Sequence, residues 1–132
     1  MAEDRILLID DEAHFVAATA KRLRRRGFSV LEANSGPAGL KLLDQEPVDA
    51  VVLDVGMPDM DGIQVLRELK MRFPQVQVLM LTGHGNMEVA ISGMAMGAFD
   101  YLMKPVELEV LVGKIREACA RRKKAEEGSG ME

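Results

Sequence analysis

Tryptophan is absent from this chain, tyrosine occurs once, and aromatics make up only 4% of the residues. Lys and Arg total 17 against 21 Asp and Glu, for a net charge of −4, so neither a basic footprint nor a stacking surface for nucleic acid is available. Direct binding of DNA or RNA is therefore not expected. No apolar run approaches the roughly 20 residues of a membrane-spanning helix. The first residues, Met1-Ala2-Glu3-Asp4-Arg5, are acidic where a secretion signal would be basic. The single cysteine, Cys119, cannot form an internal disulfide, and its Ala-rich helical surroundings suit packing in a reducing compartment. Together these absences predict a cytoplasmic protein with no membrane partner. A length of 132 residues suits one domain with one core.

What the chain does contain is alternation. Ile6-Leu7-Leu8-Ile9 and Ala50-Val51-Val52-Leu53 are continuous apolar runs of the kind that strands covered on both faces require. Further strands are predicted over 28–33, 76–81 and 99–103. Apolar residues at helical spacing predict helices over 12–26 (Ala13, Val16, Ala17, Ala20, Leu23), 36–45, 63–73, 87–96 and 107–124 (Leu108, Leu111, Val112, Ile115, Ala118). Gly93 and Gly97 make the fourth of these helices weak. Five strands alternating with five helices predict an α/β, doubly wound, five-stranded parallel sheet with helices on both faces. Residues 1–120 read as one domain, and 121–132, which end in a polar, Gly-containing stretch, read as a C-terminal tail or linker stub.

In such a sheet the carboxyl ends of the strands share one edge, so Asp10, Asp11, Asp54, Thr82 and Lys104 are expected to converge there. Three carboxylates within ~4 Å of one another would repel by ~4 kcal/mol per pair at an effective dielectric of ~20. A divalent cation neutralises them. Oxygen donors without nearby Cys or His point to Mg²⁺, with the adjacent Asp10 and Asp11 suited to holding the ion. Asp54, alone at the end of the most apolar strand, is the expected nucleophile toward phosphorus. Lys104 can pair with Asp54 and then with a phosphoryl oxygen. The Thr82 hydroxyl can bond another, with Gly83 allowing close backbone approach.

Asp10-Asp11, Asp54 with Met57-Pro58-Asp59-Met60-Asp61-Gly62 behind it, Thr82-Gly83 and Lys104-Pro105 occur in that order between residues 5 and about 120. In this the chain resembles the receiver domain of a two-component response regulator. The resemblance implies a flavodoxin/CheY-like fold with strand order 2-1-3-4-5. It implies that Asp54 takes a phosphoryl group from a histidine kinase or histidine phosphotransfer protein. Mg²⁺ would then be held by Asp10, Asp11, Asp54 and the Gly56 backbone carbonyl, while Thr82 and Lys104 contact phosphoryl oxygens. Thr82 and Tyr101 would act as the switch, changing the surface of the fourth helix, fifth strand and fifth helix that partners read. Homodimerisation on phosphorylation is a habit of that family.

The same resemblance implies a phosphoacceptor that assists its own phosphorylation and dephosphorylation, not an enzyme acting on outside substrates. The stretches 82–85 and 97–102 resemble receivers attached to transcription activators, so an output domain in transcription regulation is expected. A stand-alone phosphorelay receiver is the alternative. A Mg-dependent phosphohydrolase of the haloacid-dehalogenase type would need a second Asp where Gly56 stands, and a flavodoxin-like cofactor binder would not place Asp10-Asp11-Glu12 against phosphate. His14 reads as a helix-surface residue. His84 and Gly56 read as influences on water access to a phosphorylated Asp54. The runs Arg24-Arg25-Arg26 and Arg121-Arg122-Lys123-Lys124 read as solvated cations at helix C-termini. Among the methionines, Met87, Met94 and Met96 are expected to face a partner.

Overall fold

In the computed structural model, residues 3–56, 62–83 and 85–130 are described, with side chains to residue 125. The segment 57–61 behind Asp54 and the site of His84 lie outside the described residues. Five strands, β1 (Arg5–Ile9), β2 (Ser29–Ala33), β3 (Ala50–Asp54), β4 (Gln77–Thr82) and β5 (Asp100–Met103), alternate with five helices, α1 (Ala13–Arg25), α2 (Gly36–Gln45), α3 (Gly62–Arg72), α4 (Met87–Ala95) and α5 (Leu108–Gly130). All pairings are parallel and the order is β2-β1-β3-β4-β5. The doubly wound α/β sheet expected from the alternation is the sheet observed.

Two core layers follow from the two-residue period of a strand. Leu7, Ile9, Val51, Leu53, Val78 and Met80 point to one face and pack with residues of α3 and α4. Ile6, Leu8, Ala50, Val52, Leu79 and Leu81 point to the other and meet Val16, Ala20 and Leu23 of α1 and Leu111, Val112 and Ile115 of α5. Burial of the three central strands on both faces explains why their sequences are apolar runs and do not alternate.

Several boundaries differ from expectation. Asp54 and Thr82 are the last residues of their strands, not the first residues of loops. On α1 the buried stripe is Val16, Thr19, Ala20 and Leu23, whereas Ala13 and Ala17, at the edge of that stripe, are exposed. The last helix runs six residues beyond 124, to Gly130, where the Gly- and Ser-containing composition suggested a tail. A helix already nucleated adds residues at little cost, so two glycines near its end do not stop it. Gly97 does stop α4: it takes φ +102, a left-handed conformation open to glycine. Gly93 has a different cause. A Cβ there would fall 2.3 Å from the Met80 sulfur, so its absence lets α4 lie close on β4.

Candidate functional site

The parallel sheet brings the strand ends to one edge, and the side chains predicted to meet there largely do. Asp10 follows β1 and its N–H donates to the Ala33 carbonyl, extending the ladder by one residue. Asp10 and Asp54 continue the side-chain alternation of Leu8 and Val52, so both fall on the α1/α5 side of the edge. Both are buried, at 2% and 6% exposure. Lys104 arrives from the end of β5, positioned by its N–H bond to the Thr82 carbonyl at 2.7 Å. Its ammonium donates to Asp10 Oδ2 at 2.8 Å, to Asp54 Oδ2 at 3.3 Å and to Glu12 Oε1 at 3.4 Å. The Phe15 ring, 4.4 Å away at its centroid, closes the remaining side through a cation–π contact.

The other carboxylate oxygens are also engaged. Asp10 Oδ1 accepts from the Glu12 N–H at 3.0 Å, which fixes the turn into α1. Asp54 Oδ1 accepts from the Gly56 N–H at 2.8 Å. Burial pushes the Asp54 carboxyl above the ordinary carboxylate range, and the charge of Asp10 adds to the rise, against the pull of the Gly56 N–H and of Lys104. For Lys104, burial alone would lower the ammonium. Its bond to Asp10 and the charges of Asp10, Asp54 and Glu12 outweigh that and hold it above its usual value.

Oxygen atoms of Asp10, Glu12 and Asp54 all lie within 4.8 Å of one another, close enough to ligate one divalent ion. Hard donors of this kind suit Mg²⁺ or a similar cation. Asp11 is exposed and lies outside that trio. Glu12 completes the trio, a residue that sequence reasoning did not name as a ligand; the signal was its two-residue spacing from Asp10. Thr82 is fully buried, and its hydroxyl donates to the Gly83 carbonyl at 3.4 Å, a long bond that leaves it weakly committed. Tyr101 pairs with Met80 in register and sits half-buried against the α3/α4 core layer. His14 is exposed on α1.

Elsewhere the structure is ordinary. Arg24 pairs with Glu32, Arg26 with Glu109 and Lys123 with Asp4. Cys119 is buried, and burial pushes its thiol up to about 12. A cavity of about 330 Å³ lined by Val48, Phe73, Pro74 and Arg122, among others, lies near the starts of β3 and β4, at the opposite edge from the carboxylates. The exposed apolar side chains include Ile91 and Met94 of α4, Met103, Val110 of α5 and, most exposed, Met71 of α3. No helix is long and apolar enough to cross a membrane among the described residues.

A sheet of this order with a buried aspartate, a second acidic group and a lysine at its carboxyl edge defines a receiver fold. The chain belongs to the response regulator receiver domain family, whose model matches residues 6–116. It is 35% identical over 121 residues to an NtrX-like response regulator of Rickettsia felis, a match covering 90% of this chain and 26% of that protein. It is 37% identical over 113 residues to the transcriptional regulatory protein GlrR of Escherichia coli, covering 86% and 26%. The chain thus spans about a quarter of the length of these relatives. Among solved structures, a response regulator receiver domain protein of Clostridium thermocellum is 38% identical, with a TM-score of 0.88 and coverage of 92% of this chain and 98% of that one. The receiver domain of NtrX from Brucella abortus is 30% identical, with a TM-score of 0.80 and coverage of 87% and 98%. Receiver domains act as phosphoacceptors and are not conventional enzymes.

Proposed function

We propose that Asp54 accepts a phosphoryl group from the phosphohistidine of a histidine kinase or histidine phosphotransfer protein, and that this modification switches the α4-β5-α5 surface. The observation that carries the reading is the convergence of Asp10, Asp54 and Lys104, 50 and 94 residues apart in its two lysine contacts, on one buried edge. In the transfer, an Asp54 carboxylate oxygen forms a bond to phosphorus as the N–P bond of the donor breaks, and the leaving imidazole keeps the electron pair and takes up a proton. Lys104 stabilises charge on the transferring oxygens. The Thr82 hydroxyl, weakly held by Gly83, is the group free to turn toward them, and Tyr101 beside β4 is placed to follow.

Asp10, Glu12 and Asp54 would hold Mg²⁺, with Asp11 and the Gly56 carbonyl as further ligands. When bound, the ion would supply charge neutralisation for the carboxylates and for the phosphoryl oxygens. The relatives named as transcriptional regulators support an output in transcription regulation. Intact mass after incubation with a small-molecule phosphodonor and Mg²⁺ tests the central claim. A gain of about 80 Da for one phosphoryl group, lost in Asp54→Ala, is expected; an equal gain in Asp54→Ala would place the acceptor elsewhere.

A further inference from the structure

Asn86 occupies the cap position of α4, with φ −113 and ψ 15, but its side chain makes no capping bond to the helix. An asparagine at that position usually accepts a bond from the first free N–H groups of its helix. Here the amide is turned elsewhere. A Cβ built on Gly56 would lie 3.0 Å from Asn86 Nδ2 and 3.4 Å from Asp54 Oδ1, and one built on Gly83 would lie 3.9 Å from the same nitrogen. The Asn86 amide and an Asp54 carboxylate oxygen therefore both lie within 3.4 Å of the position that a side chain at Gly56 would take.

We propose that Asn86 is a further phosphoryl-binding residue, its Nδ2 donating a hydrogen bond to an oxygen of the phosphoryl group on Asp54. The inference rests on the phosphoacceptor reading of Asp54. A phosphoryl group on Asp54 would bring three strong acceptors into the neighbourhood of a donor with no helix-capping duty. Because Asn86 belongs to α4, the bond would tie the position of that helix directly to the modification state of Asp54. Glycine at position 56 acquires a reason as well: a larger residue would crowd the amide, 3.0 Å from its Cβ.

The test is the affinity for beryllofluoride, a non-covalent analogue of the phosphoryl group, measured by calorimetry in Mg²⁺ for wild type, Asn86→Ala and Asn86→Asp. Asn86 makes no capping bond, so a role confined to the helix predicts no loss for Asn86→Ala. A phosphoryl contact predicts about tenfold weaker binding for Asn86→Ala and a greater loss for Asn86→Asp, whose carboxylate would repel the anion. The affinity of Asn86→Ala for Mg²⁺ alone is expected to stay within about twofold of wild type. Wild-type affinity in either variant would overturn the proposal. Failure of the wild-type protein itself to bind would overturn the phosphoacceptor reading instead, which separates the two.

Discussion

The ammonium of Lys104 is held by two buried carboxylates, one exposed carboxylate and the face of Phe15, and before any phosphoryl group arrives it makes Asp10 and Asp54 tolerable side by side. Replacing it with an apolar residue leaves those charges uncompensated. Lys104→Met is therefore expected to lose ~1–3 kcal/mol of stability at pH 7, most of it recovered on adding Mg²⁺, as read from urea unfolding with and without the ion. An unchanged midpoint on adding Mg²⁺ would count against a cation site among these carboxylates. The Asp54 side chain makes a second prediction. Because its carboxyl is raised in the folded state, the folded protein holds this proton to higher pH than the unfolded chain does. Stability from this group is greatest below the unfolded value near pH 4 and declines as pH climbs through the folded value. Asp54→Asn removes that decline, so it is expected to be more stable than wild type at pH 7, with the two converging near pH 3. A pH series of denaturant midpoints checks it.

At the scale of elements, two helix glycines separate propensity from packing. In Gly113, within α5, an added Cβ meets nothing within 4 Å. Gly113→Ala should therefore stabilise by ~0.5–1 kcal/mol. Gly62 starts α3, and a Cβ there would lie 2.9 Å from the Val55 backbone, one residue past Asp54. Gly62→Ala is expected to cost ~1–3 kcal/mol, since the crowding outweighs any gain in helix propensity; thermal unfolding of the pair distinguishes the two cases. The elements themselves were legible in sequence to within a residue at most ends, because apolar runs and helical spacing report burial directly. The end of α5 was not, since glycine and serine at 128–130 weaken a helix without ending one already formed. Nor were the contributions of Glu12, Phe15 and Asn86, whose side chains are aimed by turns and helix starts where no repeating period constrains direction. Asp10, Asp54 and Lys104 could be found because strand ends impose their own geometry.

For the molecule as a whole, the two core layers bury Cys119 completely on the α1/α5 side. With its thiol pushed up to about 12, it should resist thiol reagents at pH 8 until the domain opens. The labelling rate is expected to rise with denaturant in parallel with global unfolding; fast labelling in native buffer would show that α5 detaches alone. Strand order was the part of the architecture that alternation left open, and the resemblance supplied it. The longest-range contact of the site also sets an order of events in the life of the chain. Lys104 lies 94 residues beyond Asp10 and at the close of the final strand. During synthesis, Asp10 and Asp54 emerge from the ribosome well before their counter-charge, so a nascent or truncated chain ending short of Lys104 carries these carboxylates without the ammonium that compensates them.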